Sequence, residues 1–333
     1  MKLSEQVDEL IERQLCQWPL VRDNYAALER LDLRSLSLDH SEVILQYNPE
    51  RRRSSAARVD AVSLSQRPCF LCREHQPAEQ ETVEWGGRYK IQVNPYPIFP
   101  EHLTIASLEH TAQRLLPRRI DDLLQLAEEL PSWVLFYNGP RAGASAPDHM
   151  HFQAGCKGFM PLCDEVLDPG LWPDDERLEA ASDGFIGMTQ RLGRPLFFIR
   201  CERKALAGFY LARLQLAMMQ ATGESVEPMQ NILCWHDGDY HNVVVFPRRK
   251  HRPDCYGEGE GQLLLSPAAV DLGGVWTCAS RRDYDTLNAG QIPHIYDEVC
   301  VDNEHKGVTL TVRSVCLLHK IHLVVGCIGY EHG

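Results

Sequence analysis

Apolar residues in the first 35 positions recur at helical spacing, in "VDELIERQL" and "NYAALERL", and predict amphipathic helices. After them the period shortens. The runs "EVILQYNP", "YKIQVNPYPIF", "HLTIASL", "WVLFYN" and "HMHFQAG" are β-branched and aromatic, bounded by Pro, Gly and Asn, and predict strands. Between the third and fourth of these runs, "RRIDDLLQLAEEL" carries one apolar stripe and predicts a helix. Residues 161–185 are acidic and broken by prolines, which predicts a connecting loop. Beyond it come "RPLFFIRCE", a helical "AGFYLARLQLAMMQATG" and the β-rich "MQNILCWHDGDYHNVVVFPRR", "GQLLLSPAAVDLGGVWTCAS" and "GVTLTVRSVCLLHKIHLVVGCIGY". The order strand, helix, strand hairpin therefore occurs twice, without visible sequence identity. Together these elements predict an α+β protein with helices on one side of a sheet.

Within "GASAPDHMHFQAG", His149, His151 and Gln153 stand at alternate positions, which in a strand line one face. Upstream, Cys69 and Cys72 in "PCFLC" have the spacing that lets two thiolates reach one tetrahedral zinc. His75, His102, His110, His149 and His151 are near enough in sequence to complete such a site. A neutral imidazole is also a nucleophile toward phosphorus, and a neighbouring carboxamide can hold a phosphate oxygen without adding charge. Alternate spacing separates the two tasks, one ring on metal and the next free.

Composition narrows the field. The 333 residues are 44% hydrophobic and 24% charged, with twelve cysteines and no apolar run long enough for a signal peptide or a membrane span. That pattern predicts a cytoplasmic protein whose thiols stay free unless they bind metal. A formal net charge of −12 argues against nucleic acid as a partner, and nothing points to a membrane. A phosphate-rich ligand then needs local cations. Arg51, Arg52, Arg53 and Arg58 in "ERRRSSAAR" are the first candidates, with Lys157 just past the histidine motif as a weaker one.

The pattern "NGPRAGASAPDHMHFQ" resembles the active-site signature of the galactose-1-phosphate uridylyltransferase branch of the histidine triad (HIT-like) superfamily. That branch also holds the diadenosine tetraphosphate phosphorylases and the GDP-hexose phosphorylases, and "HMHFQA" is nearest to the last. "NPYPIFPEHLTIASLEH", opening on Asn94, resembles the paired strands before the signature, and "QNILCWHDGDYHNVVVFPRR" with "LSPAAVDLGGVW" resembles the second half. The likeness covers residues from about 45 to 285, and is closer still to an uncharacterised bacterial family of the same branch.

The resemblance implies two HIT-like halves, residues 1–160 and 186–333. It also implies a zinc-containing nucleotidyltransferase that works through a nucleotidyl-histidine. By position, His151 matches the nucleophile and Gln153 the glutamine on the transferred phosphoryl group. Asn138 matches the signature asparagine, and Cys69, Cys72, His110 and His149 match the zinc ligands. Asn94 and Ser145 are further candidate substrate contacts. Ser145 lies four residues before His149 rather than three, and Asp148 directly precedes the histidine. The implied donor is a nucleotide sugar or a dinucleoside polyphosphate, and the acceptor phosphate or a sugar 1-phosphate, in a monomer or homodimer. The alternatives are a diadenosine tetraphosphate phosphorylase, or a zinc-stabilised protein that binds nucleotides without turnover.

Overall fold

The computed structural model describes residues 1–51 and 61–301. Arg52, Arg53 and Arg58, and the closing strands predicted beyond residue 302, lie outside the described residues.

The N-terminal periodicity becomes α1 (Leu3–Gln17) and α2 (Pro19–Leu28). Val7, Leu10, Ile11 and Gln14 of α1 are buried, at the spacing of a single helix face, and Pro19 opens α2 where a missing N–H costs nothing. Ten strands then form one antiparallel sheet. In chain order they are β3 (Val83–Trp85), β4 (Tyr89–Val93), β5 (His102–Ser107), β6 (Trp133–Asn138), β7 (His151–Cys156), β8 (Arg177–Ala181), β9 (Gly184–Thr189), β10 (Leu196–Cys201), β11 (Gln230–Asp237) and β12 (Tyr240–Pro247). Helix α3 (Pro117–Glu129) joins β5 to β6, and α4 (Lys204–Thr222) joins β10 to β11. The stretch predicted as a connecting loop holds a short helix, Pro161–Glu165, and the edge strand β8.

Across the sheet the order is β3-β4-β5-β7-β6-β11-β12-β10-β9-β8, which reads the same from either edge once β3–β7 are matched to β8–β12. The seam is the pair β6–β11, where Phe136 faces Leu233.

Both faces of the sheet are apolar, because its central strands are buried along nearly their whole length. Helices α1, α2, α3 and α4 cover one face over Leu135, Tyr137, Phe152 and Val243. The other face, over Phe136, Phe198 and Val244, is not left to solvent as the one-sided arrangement predicted. A second sheet covers it, made of β1 (Asp32–Ser37), β2 (Glu42–Tyr47) and β13 (Val275–Cys278), together with α5 (Ala269–Leu272) and α6 (Gln291–Val299). "LSPAAVDLGGVW", predicted as strand, supplies α5 and β13 instead. Its Asp271 accepts the Ala268 N–H at 2.8 Å and starts a helical turn. No described helix is long and apolar enough to cross a membrane.

Gly155 marks how tightly this second face is packed. A Cβ there would lie 2.5 Å from Cδ2 of Phe99, a ring with no exposed surface. Gly155→Ala should destabilise the protein by about 1–3 kcal/mol through overpacking, read as a lower denaturant midpoint at constant m-value.

Candidate active site

Strand β7 begins at His151 and not earlier. His149 sits in the turn before it, closed by its own N–H to the Ala146 carbonyl at 3.1 Å. The three polar residues predicted to share one face are thereby sent to three environments. His149 turns to the cysteines, His151 is enclosed with 3% of its surface exposed, and Gln153 lines an open cavity of about 540 Å³.

Cys69, Cys72, His110 and His149 present ligand atoms that all lie within 4.8 Å of one another. Nδ1 of His149 is 3.4 Å from Cys69 Sγ and 3.5 Å from Cys72 Sγ, and Nδ1 of His110 is 3.1 Å from Cys72 Sγ. These are the separations expected between ligands of one small tetrahedral ion with metal–ligand bonds of about 2.0–2.3 Å. The tautomer agrees. Nε2–H of His149 donates to the Ser107 carbonyl at 2.8 Å, which leaves the Nδ1 lone pair aimed at the sulfurs. On the outer side, Asp148 Oδ2 lies 3.8 Å from Nε2 of His110, and Arg67 Nη2 is 3.4 Å from Asp148 Oδ1. Burial, then the neighbouring Cys69 sulfur, push the Cys72 thiol up to about 11, against the opposing pull of the Lys90 ammonium. Two sulfurs and two imidazoles, one of them with its tautomer fixed by a backbone carbonyl, fit a divalent cation such as zinc.

The imidazole of His151 is fixed by a second backbone carbonyl. Its Nδ1–H donates to the His149 carbonyl at 2.8 Å, so the neutral ring carries its lone pair on Nε2. Desolvation holds its pKa down to about 4, which keeps that lone pair available at neutral pH.

The strands β6 and β7 separate at this point, since their pairing ends at Phe136 and Gln153. Buried Gln113 fills the gap. Its Nε2 donates to the carbonyls of Asn138 and His151, both at 3.0 Å, and its Oε1 accepts the His151 N–H at 2.8 Å. Sequence reasoning passed over Gln113, because a glutamine in a loop carries no pattern. Gln113→Leu leaves three buried backbone groups unpaired, and at roughly 1–3 kcal/mol for each such group should lower the unfolding free energy by about 3 kcal/mol. Equilibrium urea unfolding checks this value.

The cavity brings together Asn94, Asn138, Ser145 and Gln153 of the predicted residues. Asn138 Oδ1 accepts from the backbone N–H of Ala269 at 3.0 Å and from Nδ2 of Asn231 at 2.7 Å, so its own NH₂ is turned away from both. Asn231 is in turn held by Arg248, a buried guanidinium that also donates to the carbonyls of Val299, Pro267, Lys250 and His251. This C-terminal support had no signal in the sequence beyond "PRR". Gly143 closes the turn before Ser145 with φ +97°, and a Cβ there would sit 2.7 Å from that of Ala268. Positive charge on the wall comes from Arg51, Arg67 and Arg252. Lys157 is not among the cavity residues. It donates to the His236 carbonyl, six positions along the chain from His151 or about 20 Å in an extended strand.

Comparison with known proteins follows this division. Residues 10–156 match a family described as a domain of unknown function, DUF4922. Galactose-1-phosphate uridylyltransferase of Halalkalibacterium halodurans is 28% identical over 127 residues, 33% of this chain and 25% of that protein. The Bacillus subtilis protein of the same name is 26% identical over 115 residues, 30% of this chain and 22% of its own length. These matches thus span about a quarter of the curated relatives. Yeast Ap4A phosphorylase Apa2 superposes with a TM-score of 0.57 at 16% identity, covering 84% of this chain and 96% of that one. The same enzyme in complex with AMP gives 0.53 at 18% identity, over 86% and 96% of the two chains. The fold is therefore α+β and HIT-like. By that fold, and by sequence over about a third of its length, the chain is similar to the galactose-1-phosphate uridylyltransferase branch of the HIT-like superfamily, near the Ap4A phosphorylases.

Proposed function

We propose that this protein is a nucleotidyltransferase that moves a nucleoside monophosphate from a nucleotide sugar to phosphate or a sugar phosphate by way of His151. The observation that carries this reading is the hydrogen bond from His151 Nδ1 to the His149 carbonyl at 2.8 Å, which leaves the lone pair of the neutral ring on Nε2.

In the first half-reaction the Nε2 lone pair attacks the α-phosphorus. The bond from phosphorus to the bridging oxygen breaks, and its electron pair leaves with the sugar phosphate. The ring is then cationic, and its Nδ1–H stays on the His149 carbonyl, which stabilises that charge. In the second half-reaction an oxygen of the acceptor phosphate attacks the same phosphorus, and the P–N pair returns to Nε2. The NH₂ groups of Gln153 and Asn138 donate to the non-bridging oxygens in both halves, gripping an anion without a fixed charge. Arg51, Arg67 and Arg252 meet the charge of the outer phosphates, with Arg52, Arg53 and Arg58 as further candidates. Zinc held by Cys69, Cys72, His110 and His149 would be structural, its four protein ligands fixing the turn that carries His151.

A screen of UDP-hexoses, GDP-hexoses and Ap4A, each with and without phosphate and read by mass spectrometry, tests the reading. Phosphate-dependent release of a nucleoside diphosphate from one sugar nucleotide supports it. Turnover of Ap4A alone would redirect it to a dinucleoside polyphosphate phosphorylase, and binding without turnover of any of them would overturn it.

A further inference from the structure

The grip assigned to Gln153 requires its NH₂, not its oxygen, to face the cavity. A carboxamide flips at no steric cost, and the wrong face would set an oxygen against a phosphoryl oxygen. The flip is decided by His102, in β5, a residue with no exposed surface. The backbone N–H of Ile98 donates to Nδ1 of His102 at 3.2 Å. A backbone amide can only donate, so Nδ1 carries the lone pair and the single proton of the neutral ring is on Nε2. That Nε2 lies 3.0 Å from Oε1 of Gln153. An N–H facing the carboxamide requires an oxygen there, and the NH₂ is sent the other way.

The surroundings prevent the ring from turning. Phe99 meets it edge-on at 5.4 Å between centroids, and Phe136 lies at 5.8 Å. In the ladder, Thr104 opposes Gln153 and His102 opposes Gly155, so the imidazole reaches Gln153 on the diagonal. Gly155 has no side chain to push Phe99 off this position. Asn94 adds a second donor toward the same oxygen, Nδ2 at 3.5 Å, and its own orientation is set by the Tyr96 N–H on Oδ1 at 3.0 Å. Desolvation, helped by the nearby Arg51, holds the His102 pKa down to about 3, so the ring stays neutral across the working range.

We infer that His102 is a positioning residue of the phosphoryl site: its Nε2–H holds the Gln153 carbonyl oxygen and so commits both amide protons of Gln153 to the transferred phosphoryl group. The inference rests on the proposed function for its kinetic arm only.

Two variants and one spectrum test it. His102→Phe keeps a ring between Phe99 and Phe136 but has no donor. His102→Gln returns an N–H at the reach of the imidazole Nε2. With the sugar nucleotide that the screen identifies, His102→Phe should lower kcat by about 100- to 1000-fold, the scale of losing one oriented donor to a developing anion. Zinc content should stay unchanged and KM should shift by less than about threefold. His102→Gln should recover at least about fivefold of that kcat. In a Gln153→Ala background His102→Phe should cost nothing more, since the residue acts through Gln153. A full additional loss in that background, or a loss in His102→Phe that follows only the fraction unfolded, overturns the inference. The spectrum needs no substrate. Long-range ¹H–¹⁵N correlation of the histidine side chains of the zinc-loaded protein should show His102 as the Nε2–H tautomer between about pH 5 and 8. An Nδ1–H tautomer overturns the inference even if the screen succeeds, and an Nε2–H tautomer supports it even if the screen finds no substrate.

Discussion

His151→Ala should abolish turnover, by roughly 10⁴-fold or more, because no other described group can replace its nucleophilic nitrogen. His149 cannot substitute. Its Nε2–H is bound to the Ser107 carbonyl and its Nδ1 faces the two cysteine sulfurs. The variant should keep its fold and metal, because the backbone N–H and carbonyl of residue 151 remain on Gln113. Steady-state kinetics beside metal analysis and circular dichroism checks all three statements. Ping-pong kinetics should accompany the wild-type reaction, as one site serves donor and acceptor in turn.

Cys69→Ser and Cys72→Ser should each lose the metal and, with it, about 3 kcal/mol of stability. The cluster fastens the segment around residues 69–75 to the turn before β7, and Cys69, Leu71, Ala106 and Ala146 form only a small apolar group of their own beneath it. Melting should fall by about 4 °C, at roughly 2.1 cal/mol/K of unfolding entropy per residue over 333 residues. Activity should fall as well, since His151 hangs from the carbonyl of His149. Purified wild-type protein should carry one zinc per chain. Protein with well under one zinc and freely titratable thiols would remove the metal from the account.

How much of this the sequence foretold depends on whether a role is local. The helices α1, α3 and α4 and most strands followed from period, because one-sided and two-sided burial leave different spacings. "PCFLC" and "DHMHFQ" were legible as short patterns with a geometry attached, whereas the choice of His110 and His149 as partners of the two cysteines followed from the family resemblance. The second sheet was not, since β1 and β13 lie 238 residues apart, from Ser37 to Val275, and meet only through β2. The supports of the site were invisible too. Gln113 and Arg248 act through backbone carbonyls and amides of distant segments, and no spacing rule connects His102 to Ile98 N–H and Gln153 at once. The face rule itself misled at one point. It placed His149, His151 and Gln153 on one strand, whereas the turn closed at Ala146 keeps His149 out of β7.

The central claim is a covalent bond between His151 and the transferred nucleotide, and intact-mass measurement tests it most directly. Zinc-loaded enzyme is mixed with the sugar nucleotide from the screen, without phosphate or sugar phosphate, and quenched in base. The account predicts the added mass of one nucleoside monophosphate, mapped to the peptide carrying His151, discharged by phosphate and by acid, and absent from His151→Ala. Turnover with no adduct in the wild type, or substantial turnover by His151→Ala, would contradict it.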